Sequence, residues 1–130
     1  KQLFPRYADA LAHMDYTDLP RDIHLEGLFQ DQVSRVPHNV AIELWSSALG
    51  KTSASVTYSE LNITSGRIAD KLVEAGIGRG HMVGLVVDRG VHMVAATLAV
   101  LKVGATVVNM EVAWPLARIE VGMVTFHIHV

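Results

Sequence analysis

The sequence contains no cysteine. That excludes a disulfide scaffold, a thiolate metal site and a cysteine nucleophile, and it leaves the redox compartment open. Charge is also scarce: 18% of the residues are charged, and 11 Lys+Arg against 13 Asp+Glu leave a net charge of -2. With no basic excess to release counterions, nucleic-acid binding is not expected. Long apolar runs are missing as well. The most apolar stretch, Val91 to Val103, is broken by His92 and Lys102, and it falls short of the roughly 20 residues a bilayer span needs. No membrane partner is expected. Residues Lys1 to Met14 hold no apolar core of a signal peptide, so a cytoplasmic location is the expectation.

What is present is apolar surface. Half of the 130 residues are hydrophobic, enough to offset the entropy of ordering one domain. The mean hydropathy of +0.28 is high for so short a chain. A small domain leaves much of its surface wet, so this predicts apolar surface that meets another piece of protein.

The pattern along the chain is alternating. Lys1 to Pro20 reads as a linker. Leu25 to Val36 carries Leu25, Leu28, Phe29, Val33 and Val36 at helical spacing, and Pro37 stops it. Val40 to Trp45 reads as a strand, Ser46 to Ser55 as a polar loop, and Val56 to Tyr58 as a second short strand paired antiparallel with the first. Thr57 and Glu60 fit a capping box opening a helix to about Ala75, with Leu61, Ile68, Ala69, Leu72 and Ala75 as its buried stripe. Gly76 ends it. Met82 to Val87 and Ala105 to Met110 are short apolar runs suited to strands covered on both faces. Between them lies a helix, Val91 to Lys102, apolar nearly all round. Pro115 to Val121 opens a third helix of this half. Helices alternating with apolar strands predict an α/β fold: a partial parallel sheet with crossover helices, plus a short antiparallel hairpin.

Several residues invite a chemical role, and each has a structural reading that fits better. Gly76, Gly78 and Gly80 follow a helix and open a strand, the reverse of a nucleotide-binding loop, so they read as a turn. Thr57 and Glu60 read as a cap. His127 and His129 share a strand face, but no third metal ligand stands near them in sequence. His24, His81 and His92 are scattered. Ser59 and Ser65 lack the strand-turn-helix elbow of a nucleophilic serine. Asp88 and Glu111 fall at strand ends, where open sheets bind ligands, yet both are typical turn residues. Trp114-Pro115 reads as packing and a helix start. No catalytic, cofactor-binding or metal residue is assigned.

Five segments, taken together, resemble one family. They are Ile23-His24-Leu25-Glu26-Gly27-Leu28-Phe29-Gln30-Asp31-Gln32-Val33 through Pro37, then Val56-Thr57-Tyr58-Ser59-Glu60-Leu61-Asn62, and Gly76-Ile77-Gly78-Arg79-Gly80-His81-Met82-Val83-Gly84. The last two are Leu98-Ala99-Val100-Leu101-Lys102-Val103-Gly104-Ala105, and Glu111 to Pro115 with Arg118-Ile119. In this order they resemble the N-terminal part of the adenylation domain of nonribosomal peptide synthetases, within the AMP-forming acyl and aminoacyl ligases. The sequence departs from the family's Tyr-Val-Pro-Leu-Asp-Pro run, where it has Val107-Val108-Asn109-Met110-Glu111-Val112.

The resemblance implies a linker-like segment over 1–22, an incomplete N-terminal subdomain over 23–119, and a tail over 120–130 that does not align. It implies that an intact parent activates an amino or carboxylic acid with ATP and Mg²⁺. The acyl group then passes to the phosphopantetheine thiol of a carrier protein. The family's Ser/Thr/Gly-rich phosphate loop, substrate pocket, ribose ligand and C-terminal lysine have no counterpart in this sequence. The expectation is therefore an inactive scaffold that binds no cofactor by itself. Its expected partners are the remainder of the adenylation domain, or copies of itself meeting through uncovered apolar faces such as one side of the helix Val91 to Lys102. A condensation domain would precede it in the parent. A non-catalytic interaction module of the same descent and a piece of an acyl-CoA ligase are the alternatives.

Overall fold

The structure is a computed structural model that describes residues 24–46, 48, 50–120 and 128–129. The segment 1–22, His127 and most of the tail lie outside the described residues, as do the side chains of Ile128 and His129.

The first helix, α1 (Leu25–Arg35), stops two residues before Pro37. Its stripe is only partly covered: none of its residues is fully buried, and Leu25 stays 64% exposed. The hairpin follows as β1 (Val40–Ser46) and β2 (Lys51–Thr57), antiparallel, with Ser46 opposite Lys51 and Val40 opposite Thr57. The second strand is longer than the sequence suggests. Thr52, Ser53 and Ser55 are polar and all of Thr52 to Ser55 is exposed, so the stretch lacks the alternation that marks a half-buried strand. Main-chain pairing with β1 carries them instead, and the Ser53 hydroxyl adds a bond to the Leu44 carbonyl at 3.0 Å.

Helix α2 (Tyr58–Glu74) starts on the expected cap. The Glu60 amide donates to the Thr57 hydroxyl oxygen at 3.2 Å, and the Thr57 amide donates to the Glu60 carboxylate at 2.9 Å. Its buried stripe is Leu61, Ser65 and Ala69, with Ile68 and Leu72 beside it. Ala75 is the exposed C-cap residue and not part of that stripe, because the chain has already turned away from the core there. Gly76 sits at φ 76°, the left-handed region that costs a side chain and suits glycine. Its amide reaches the Val73 carbonyl while the Ile77 amide reaches Leu72, a Schellman closure that drives Ile77 into the core.

Three parallel strands make the second sheet: β3 (Met82–Val86), β4 (Thr106–Met110) and β5 (Ile128–His129), in the order β4-β3-β5. Helix α3 (Val91–Lys102) crosses from β3 to β4 and ends with the same closure around Gly104. The expected partial parallel sheet with a separate hairpin is the observed architecture.

Two apolar clusters hold these pieces. Ile77, Val83, Leu85, Ala96, Val100 and Ala105 join α3 to the sheet. Leu61, Ala95 and Leu98 join α2 to α3, and Phe29, Ile42 and Val56 pack on them from α1 and the hairpin. Ile68 touches both clusters. The expectation that α3 leaves one side bare is corrected by this packing. Five of its residues are buried and only His92 is exposed, because α2 and α1 cover the side away from the sheet. An apolar groove of about 550 Å³ stays open beside α1, reaching Leu28, Phe29, Ile42, Met93 and Leu98.

Candidate functional site

The carboxyl ends of β3 and β4 are where an open parallel sheet accepts ligands. Leu85, Val87, Met93 and Met110 floor a cleft of about 260 Å³ there, and Arg89, Glu111 and Trp114 rim it. A neighbouring recess of about 450 Å³ brings Asp88 and Glu111 together. Both carboxylates are exposed. Glu111 also serves its turn, since its carbonyl accepts the Trp114 amide at 3.0 Å. The Arg118 guanidinium lies 4.1 Å from the Trp114 ring centroid, and the Arg118 and Ile119 amides both donate to Pro115 O. Trp114-Pro115 thus packs and opens the helical residues 116–120, as its sequence suggests.

The other singled-out residues lie apart from this cleft. Gly78 and Gly80 turn the chain from α2 into β3, and His81 Nδ1 accepts the Gly78 amide at 3.2 Å. Ser59 stands in the first turn of α2, its amide bonded to the Pro37 carbonyl at 2.9 Å. Ser65 is fully buried and donates to the Asn62 carbonyl of its own helix. His24 and His92 are exposed. His129 lies in β5 beside Val83. Among the described residues no group of three metal-ligating side chains occurs. Among the described residues the two cleft carboxylates stand with no third metal-ligating side chain, fewer than a divalent cation held by protein oxygens needs.

One constellation escaped sequence reasoning. Asn62 on α2 gathers partners from both other helices. Lys102 Nζ of α3 donates to its Oδ1 at 2.7 Å and to its carbonyl at 3.3 Å, and Gln30 Nε2 of α1 donates to the same Oδ1 at 2.9 Å. The ammonium also lies 5.9 Å from the Phe29 ring centroid. Burial holds the Lys102 pKa below the usual lysine value, against the pull of Glu26 and Asp70. The sequence signal was Lys102 at the end of an otherwise apolar helix. At the cap, Glu60 is held below the usual carboxylate value by the Thr57 amide and then by the Thr57 hydroxyl.

A family model described as AMP-binding enzyme matches residues 29–126. The chain belongs to the AMP-binding enzyme family. Among its relatives, gramicidin S synthase 1 of Brevibacillus brevis is 35% identical over 103 residues, which are 79% of this chain and 9% of that protein. Malpibaldin synthetase of Mortierella alpina is 42% identical over 102 residues, 78% of this chain and 2% of that protein. The chain thus spans less than a tenth of these relatives. The nonribosomal peptide synthetase FmoA3 superposes with a TM-score of 0.73 at 25% identity, over 82% of this chain and 11% of that one. The N-terminal subdomain of Klebsiella oxytoca NpsA gives 0.68 at 21%, over 81% and 26%. Within the AMP-binding family, these residues correspond to an N-terminal fragment of a peptide-synthetase adenylation domain. No described helix is long and apolar enough to cross a membrane.

Proposed function

We propose that residues 23–119 are a scaffold portion of an adenylating unit in a nonribosomal peptide synthetase. The whole unit activates an amino or carboxylic acid as an acyl adenylate with ATP and Mg²⁺. It then delivers the acyl group to a carrier-protein phosphopantetheine thiol. The family match over residues 29–126 carries this reading. No step of that reaction is given to a side chain of this chain. What these residues supply is the β4-β3-β5 sheet and the helices packed on it. The groove beside α1, with Leu25 and Leu28 exposed at it, is the surface the remainder of the domain covers. Segment 1–22 would join a preceding condensation domain, and a carrier domain would follow.

ATP–pyrophosphate exchange tests the proposal. The 130-residue chain is expected to show none, and a parent that continues through a glycine-rich phosphate loop is expected to exchange with its cognate acid. Exchange by the short chain overturns the scaffold assignment. A parent that loads coenzyme A and not a carrier thiol overturns the peptide-synthetase assignment in favour of an acyl-CoA ligase.

A further inference from the structure

The three helices are held unequally. Helix α3 buries five of its residues and α2 buries three, while α1 buries none. The fastening of α1 runs through Gln30 and Phe29. Gln30 Nε2 donates to Asn62 Oδ1 at 2.9 Å. Phe29 packs on the cluster of Leu61, Ala95 and Leu98, with its ring centroid 6.1 Å from that of Tyr58 and 5.9 Å from the Lys102 ammonium. The chain just after α1 is anchored. The Ser59 amide donates to the Pro37 carbonyl at 2.9 Å and the Tyr58 amide to the Asn39 carbonyl at 3.0 Å, which ties residues 37–39 to the first turn of α2. The ring of Pro37 locks its own φ. Val36, at φ -138° and ψ 55°, has left the helical region and joins the helix to this anchor.

We infer that α1 is a flap, hinged at Val36, that releases from α2 and α3 while those helices and the parallel sheet stay folded. Stability is not uniform across a fold, and an element with few buried apolar groups opens at a lower free energy than the core. Hinges are a few residues at the ends of elements that absorb the torsion change, the place Val36 holds. A helix of 11 residues is marginal by itself in water, so α1 gives up its own hydrogen bonds once it undocks. Leu25, Leu28, Phe29 and Gln32 form the α1 wall of the apolar groove, so the flap sets the width of that groove. Closed, it covers the cluster of Leu61, Ala95 and Leu98. Open, it joins that cluster to the groove as one apolar face. The flap follows from how α1 is fastened and does not rest on the synthetase assignment.

Native-state amide hydrogen exchange of the whole chain, in urea from zero to below the unfolding midpoint, is the test. The amides of Phe29 to Val33 bond within α1 and those of Ala99 and Val100 within α3, so the comparison is between two helices that differ in burial. The α1 set is expected to exchange as a group, about tenfold or more faster than Ala99 and Val100. Its opening should also depend more weakly on urea, because it exposes less surface than global unfolding does. Gln30→Met keeps the helix propensity and removes the donor to Asn62. It is expected to speed the α1 set about threefold to tenfold, the worth of one hydrogen bond, and to leave Ala99 and Val100 unchanged. One rate and one urea dependence for both helices overturns the inference. So does exchange graded inward from the start of α1, as fraying gives, or a Gln30→Met effect that is absent or equal in α1 and α3.

Discussion

Removing the Asn62 side chain tests the clasp that joins the three helices. In Asn62→Ala, Lys102 keeps its 3.3 Å bond to the main-chain carbonyl but loses the 2.7 Å bond to Oδ1, and Gln30 loses its 2.9 Å partner. A hydrogen bond to a charged group is worth about 1.5–3 kcal/mol when well buried. All three residues are half-buried, so water replaces part of that and the loss falls to about 1–2 kcal/mol. Alanine is the better helix former by up to about 0.7 kcal/mol, which hides part of the effect. The single substitution should therefore cost only about 0.5–1.5 kcal/mol, too little to identify its cause. A double-mutant cycle with Lys102→Met removes that ambiguity, because propensity cancels. Urea denaturation of the four proteins should give a coupling energy of about 1 kcal/mol. A coupling under about 0.3 kcal/mol would refute the claim that these side chains act together.

Two further outcomes follow from the perturbed groups. Lys102 has its folded pKa lowered from 10.5. Between that lowered value and 10.5 the unfolded chain therefore holds the extra proton, and stability rises with pH there. The urea midpoint should climb in alkaline buffer toward pH 10.5, and Lys102→Met should flatten that climb. Thr57→Ala removes the cap acceptor of α2 and should cost about 1 kcal/mol in the same assay, while Thr57→Ser should recover most of it.

Much of this architecture was legible because its signals are local. The capping box at Thr57 and Glu60, the breaker at Pro37 and the closure at Gly76 each act within a few residues, and each stands where the sequence places it. The segments that failed depend on distant neighbours. Nothing in Thr52 to Ser55 announces a strand, because its partner β1 supplies the reason. The cover over α3 comes from α1 and α2, and covering of that kind leaves no periodic trace in α3 itself. At the cleft, Asp88 and Glu111 were legible as strand-end residues. Their shared recess was not, since it depends on the register that sets Val86 beside Met110. Asn62 was missed for the same reason: a polar contact across 40 residues is written in no window of sequence.

Ser65, Ala95 and Ala99 are wholly hidden from water, and they are among the smallest side chains in their helices. Small groups in fully closed positions leave the packing around them no slack, so a larger side chain at any of the three has to push neighbouring atoms aside. Both α2 and α3 therefore hold their places through what these positions lack rather than through what they carry.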